Sequence, residues 1–252
     1  MEFRLDNLEV ERENKAVYTE DGKTIKLFAE GYPTSKVLNE AINLSKVEES
    51  TDLQIPKLLE VGKINNRWAL VMEYIEGESL DRLMEKHPEK EDEYINFLAD
   101  VQLVVLSKNV PLLPVLKEKY RKKISEVQEL SEDAKFELLQ RLNGMKNHTK
   151  LCHGDLNPSN IIIEPDGKYA IIDWAHATQG NASADIAKTY INFYSRNQQA
   201  LGDKYLNIIA EKSKINREYI QSWIPIVAAA YLDQEDENKE LLKKWSNIVD
   251  FT

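Results

Sequence analysis

The strand-like and helix-like segments of this 252-residue chain are unevenly distributed, and that distribution restricts its fold more than any other feature. Within residues 8 to 28, Ala16-Val17-Tyr18-Thr19 and Thr24-Ile25-Lys26-Leu27-Phe28 flank Glu20-Asp21-Gly22-Lys23, an Asp-Gly hairpin signal that predicts two antiparallel strands. Thr34-Ser35 can cap a helix whose apolar positions Val37, Ala41 and Leu44 recur at helical spacing, with Glu40 on the same inner face. Two further strands are predicted around Leu58-Leu59-Glu60-Val61 and Trp68 to Tyr74, parted by Lys63-Ile64-Asn65-Asn66. Beyond Glu76 the apolar period becomes helical, over roughly 79–86, 91–108, 112–130 and 132–146, then 182–196, 199–213, 216–232 and 237–249. Strand character returns once, as Asn160-Ile161-Ile162-Ile163 and Tyr169 to Asp173 around Glu164-Pro165-Asp166-Gly167. The expected class is α+β: a small β-rich lobe over 1–76 and a helical lobe over 77–252, with ligand expected in the crevice between them.

Composition narrows the partners. Forty-three acidic against 33 basic residues leave a net charge of -10, which repels phosphodiester backbones and anionic lipid; no nucleic-acid or membrane partner is expected. The single cysteine, Cys152, excludes an internal disulfide and a cysteine-rich zinc site. With no basic-then-apolar start, no spanning stretch and no repeat, the expected location is the cytoplasm. Oligomeric state is not legible from these features.

Chemistry concentrates in Cys152-His153-Gly154-Asp155-Leu156-Asn157-Pro158-Ser159-Asn160, which fits the spacing H-x-D-L-x-x-x-N of a phosphoryl-transfer catalytic loop. A hydroxyl acceptor needs a carboxylate to take its proton, a contribution of about 10²–10⁴ in rate, and Asp155 is placed for that role. The Asn160 amide can coordinate Mg²⁺ without adding negative charge beside phosphates. Asp173, ending the second hairpin strand, would ligate the same metal. Lys26, central in its strand, is the expected cation on the α- and β-phosphates, held by an ion pair with Glu40. Each residue also has a plainer reading. Lys26 fits the solvent face of an amphipathic strand, Glu40 a solvated helix position, and Asp173 a strand-end cap. Cys152 and His153 read as a small buried residue and a structural hydrogen-bonder rather than reacting groups.

With these motifs in place, the sequence resembles the aminoglycoside phosphotransferase and choline kinase-like family, which has the protein-kinase-like two-lobed fold. Lys26, Glu40, Met72-Glu73-Tyr74-Ile75-Glu76-Gly77, His153 to Asn160 and Ile172-Asp173-Trp174 carry the resemblance, with Gly154 and Trp174 resembling this family rather than protein kinases. It implies ATP or GTP as donor, two Mg²⁺ held by Asn160 and Asp173, and adenine bonded to the backbone of Glu73 and Ile75. Asp185 matches the family's aspartate on the following helix, a structural brace.

Two departures stand out. The segment Val10-Glu11-Arg12-Glu13-Asn14-Lys15, where a phosphate-covering loop is expected, has no glycine, which hinders close backbone approach to phosphate. Residues 174–184 leave no room for the peptide-docking segment of a protein kinase. The leading reading is a small-molecule kinase acting on an aminoglycoside, choline-like amino alcohol, sugar or similar metabolite. The acidic run Asp233 to Glu237 leans slightly to a cationic acceptor, and also fits a solvated helix start. The alternative is a non-catalytic nucleotide-binding or scaffold protein of the same fold.

Overall fold

A computed structural model describes residues 3–233 and 238–247, so the run Gln234 to Glu237 and the end of the last expected helix lie outside the described residues. The chain separates into two compact units, one of residues 1–83 with 158–176 and the other of 84–157 with 177–252.

The first unit is built on a five-stranded antiparallel sheet ordered β1-β2-β3-β5-β4. Its strands are β1 (Asn7–Arg12), β2 (Lys15–Glu20), β3 (Lys23–Phe28), β4 (Leu58–Ile64) and β5 (Arg67–Glu73), with α1 (Thr34–Ser50) between β3 and β4. Asp21 and Gly22 both take positive φ, +48° and +71°, as do Asn65 and Asn66 at +47° and +65°. Both hairpins therefore close on the tight turn whose twist matches paired strands. Alternation along β3 divides its side chains between two cores. Ile25 and Leu27 pack with Ile64, Ala69 and Val71, whereas Phe28 packs with Leu70 and with Val37 and Ala41 of α1. Lys26, opposite Leu70 in the register, shares the helix-covered face.

Two local expectations are corrected here. Residues 10–12 of the expected phosphate loop belong to strand β1, which leaves only the two-residue turn Glu13-Asn14 before β2. Helix α1 starts without a side-chain cap: its cap position is Pro33, which offers no side-chain acceptor, and the Thr34 hydroxyl instead accepts from the Trp68 indole N–H at 2.9 Å. The unit is completed by β6 (Glu78–Ser79), β8 (Ile161–Ile163) and β9 (Tyr169–Ile171), a three-stranded sheet ordered β6-β8-β9. The Ile171 N–H donates to Gln54 O at 2.9 Å, and Asn43 Nδ2 of α1 donates to Ala175 O at 3.2 Å. These bonds fasten the late segment 158–176 to the early chain.

The chain crosses to the second unit within α2 (Leu80–Lys86), and continues through α3 (Glu91–Ser107), α4 (Leu116–Glu126), α5 (Glu132–Gly144), α6 (Ala182–Ser195), α7 (Gln199–Ser213), α8 (Arg217–Gln221), α9 (Ile224–Tyr231) and α10 (Lys239–Ser246). Every residue of α9 is buried, against α4, α5, α6 and α10. The helix expected over 216–232 is broken at Ser222-Trp223, and Pro225 opens α9, where its missing N–H costs no helical bond. Strand character returns more than once: β7 (Lys150–Cys152) and β10 (Thr178–Gly180) pair antiparallel. Three residues are too few to show a period of two.

Candidate active site

Lys26, Glu40 and Asp173 come together within the first unit. Lys26 Nζ donates to Glu40 Oε1 and lies 3.2 Å from Asp173 Oδ1. With 5% and 8% of their surfaces exposed, Lys26 and Glu40 are not the solvent-facing strand and helix residues of the plainer reading. Burial pulls the Lys26 ammonium toward neutrality, but Asp173 and Glu40 outweigh it and hold its pKa above the ordinary lysine value. Burial likewise pushes Glu40 up, against the pull of Lys26. Asp173 moves the other way: burial acts to raise it, while Lys26, Lys15 and His176 prevail and keep its carboxyl well below the usual range. It is a carboxylate at any physiological pH.

Asp173 takes φ +64°, a left-handed conformation uncommon outside glycine, which turns the chain sharply after β9. Such backbone costs free energy, and it clusters where a side chain must be aimed. Behind it, the Trp174 indole N–H donates to Ile171 O at 3.0 Å. Asn160 lies at the same end of the β8–β9 pair, since Ile161 faces Ile171 in the register and the Ile172 N–H donates to Asn160 O at 3.0 Å. The hairpin thus brings Asn160 and Asp173 to the same end of two paired strands. Among the described residues no group of three or more His, Cys, Asp or Glu gathers as a protein-only metal site would.

Asp155 belongs to the second unit, which the catalytic loop leaves at Pro158. Asp155 is half-buried; Oδ1 accepts from Asn192 Nδ2 at 3.0 Å and lies 3.4 Å from Lys188 Nζ. The loop is held from several sides. Asp185 Oδ1 accepts from the Gly154 N–H at 2.7 Å, Tyr231 donates to Gly154 O at 2.6 Å, and Thr189 donates to Leu156 O at 2.8 Å. Asp185 is itself fixed by Gln102 Nε2 at 3.0 Å, and burial pushes its carboxyl up. His153 is fully buried, with Nδ1 accepting from the Asp155 N–H at 3.3 Å. Cys152 is buried too, and desolvation drives its thiol pKa upward, away from nucleophilic use.

Lys188 and Asn192 escaped sequence reasoning. Their signal is a polar stripe, Asp185, Lys188, Thr189 and Asn192, at spacings of three, four and seven along the otherwise apolar helix α6. At the end of β5 the Glu73 N–H donates to Lys57 O at 2.9 Å, and in the segment that follows Ile75 is half-buried.

A sequence profile described as the Phosphotransferase enzyme family matches residues 5–213. No curated protein matches the sequence. Among solved structures, aminoglycoside phosphotransferase APH(4)-Ia in ternary complex with ADP and hygromycin B is similar over 94% of this chain and 90% of its own, at 13% identity and TM-score 0.69. The GDP complex of an aminoglycoside 2'-phosphotransferase-IIIa mutant is similar over 95% and 90%, at 18% identity and TM-score 0.62. Choline kinase LicA from Streptococcus pneumoniae is similar over 98% and 89%, at 19% identity and TM-score 0.59. The profile spans most of the chain, the small antiparallel sheet and helical remainder have the protein-kinase-like fold of these proteins, and the chain belongs to the Phosphotransferase enzyme family.

Proposed function

We propose that this protein is a small-molecule kinase that transfers the γ-phosphoryl of ATP or GTP to a hydroxyl, with Asp155 as base. The observation that carries the reading is Lys26, buried between Glu40 and Asp173, a lysine and a carboxylate 147 positions apart in the chain. A buried ion pair is weak evidence of stabilisation, because desolvation can exceed the Coulombic gain. Its presence beside a carboxylate held ionised is better explained by phosphate and metal binding.

The donor set fits Mg²⁺. This cation takes one or two carboxylates, leaves other positions to phosphate and water, and prefers hard oxygen ligands, which Asp173 and Asn160 supply. When bound, Mg²⁺ would neutralise charge developing on the phosphoryl oxygens. In this reading Lys26 binds the α- and β-phosphates, and Glu40 keeps it aimed. The backbone of Glu73 and Ile75 receives the base. Asp155 accepts the hydroxyl proton; Asn192 orients its carboxylate, and Lys188 balances the charge on the side away from the acceptor. The phosphate contacts belong to 1–76 together with the β8–β9 hairpin, and the acceptor to 77–252. The complexes of relatives with ADP and hygromycin B or with GDP, and the choline kinase likeness, favour a small polyhydroxyl or amino alcohol acceptor. Among the described residues no helix is long and apolar enough to cross a membrane.

The decisive experiment measures labelled phosphate transfer from ATP and GTP across aminoglycosides, amino alcohols, sugars and hydroxy acids, with Asp155→Asn as control. Transfer lost in the variant supports the reading; transfer that survives places the base elsewhere. One observation favours a second reading, a nucleotide-binding scaffold: the β1–β2 turn is Glu13-Asn14, with no glycine to admit phosphate to its amides. Nucleotide binding without transfer to any acceptor would favour it.

A further inference from the structure

Lys15 opens β2 directly after that turn. The Ala29 N–H donates to Asn14 O at 2.9 Å and Lys15 faces Phe28 across the β2–β3 ladder, so the root of the side chain is fixed. Its Nζ lies 3.5 Å from Asp173 Oδ2, while Lys26 Nζ lies 3.2 Å from Oδ1. One carboxylate therefore has a lysine at each oxygen. The two lysines differ in what else they hold. Lys26 has Glu40 as a second anion; Asp173 is the sole ion-pair partner of Lys15 among the described residues.

With its side chain only 20% exposed, Lys15 is poorly hydrated. A carboxylate engaged with a divalent cation no longer compensates both lysines, and a half-buried ammonium without a counter-charge is costly. A triphosphate would bring the missing negative charge to the same place. The β1–β2 turn Glu13-Asn14 has no glycine, which hinders close approach of its backbone amides to phosphate and leaves a side chain as the readier contact.

We infer that Lys15 is a second phosphate-binding cation, paired with Asp173 while nucleotide is away and transferred to the phosphoryl oxygens when Asp173 engages the metal. It takes over, as a charged side chain, the work that backbone amides do in a glycine-rich loop. The inference rests on the nucleotide-binding reading above and extends it to a residue outside the family motifs.

Calorimetric titration of ATP, ADP and adenosine, with Mg²⁺, into the wild type, Lys15→Met and Lys15→Arg tests it. Loss of a charge-assisted contact should weaken ATP and ADP by about tenfold or more in Lys15→Met while adenosine changes by less than about twofold, and Lys15→Arg should recover most of the loss. Unchanged ATP affinity in Lys15→Met overturns the inference and leaves the kinase reading standing. An equal loss for ATP and adenosine also overturns it, because that is the mark of a structural role. A wild type that binds neither ATP nor GTP ends both.

Discussion

Lys26 and Glu40 illustrate how much a single buried charge depends on its partner. Lys26→Met should cost about 3–5 kcal/mol near neutral pH, because Glu40 would remain buried without its cation. The direction with pH follows from burial, which already pushes Glu40 up. A folded-state carboxyl pKa above its unfolded value of about 4.3 means the native state holds a proton the unfolded chain releases, so stability falls as pH rises through that window. Urea unfolding should show a larger loss at pH 8 than at pH 5, and Lys26→Met/Glu40→Gln should restore part of it. The same loss at both pH values would show that Glu40 does not titrate in the variant. Asp155→Asn should reduce kcat by about a hundredfold or more with nucleotide affinity within about threefold, measured by steady-state kinetics and titration. Asp173→Ala should remove metal-dependent nucleotide binding; normal Mg-ATP affinity there would remove Asp173 from the site. At this scale the sequence was informative where residue type and spacing are both constrained, as from His153 to Asn160. It was silent on Lys188, whose partners lie in the catalytic loop and on the next turn of its own helix.

Elements were legible in proportion to their length and to the turns that bound them. The Asp21-Gly22 and Asn65-Asn66 hairpins and helices such as α3 and α6 follow from turn chemistry and period. The three-residue strands β7 and β10 do not, and neither does the bond by which the Trp68 indole holds the Thr34 hydroxyl beside a proline-capped helix. Gly77 links β5 to β6 by close approach. A Cβ there would stand 2.3 Å from the backbone Ile163 O and 2.8 Å from the Ile162 Cγ2 methyl, and the backbone of β8 cannot swing aside as a side chain can. Gly77→Ala should therefore destabilise by about 2 kcal/mol or more, read as a fall of about 4–8 °C in Tm. Gly144→Ala, with nothing within 4 Å of the added carbon, is the control. An equal Tm for the two variants would mean that β8 yields without cost.

At the scale of the molecule, the change of period near Glu76 suggested a division into 1–76 and 77–252, whereas the compact units are 1–83 with 158–176 and 84–157 with 177–252. Nothing in the isoleucines of β8 names the short strand β6 as their neighbour; that pairing rests on backbone bonds, which carry no side-chain signal. Nucleotide should stabilise the whole protein. Mg-ATP or Mg-GTP at about 100 times its Kd adds about 2.7 kcal/mol, a rise of several degrees in a thermal melt. A melt indifferent to both would remove nucleotide from the account.

The interrupted first unit also bears on biosynthesis. A chain emerging from the ribosome presents its sheet and α1 early, yet Lys26 must wait for Asp173, 147 positions later, and β6 for β8, which begins at Ile161. During that interval Glu40 is the lysine's available anion, and the free edge of β6 needs shielding from neighbouring chains.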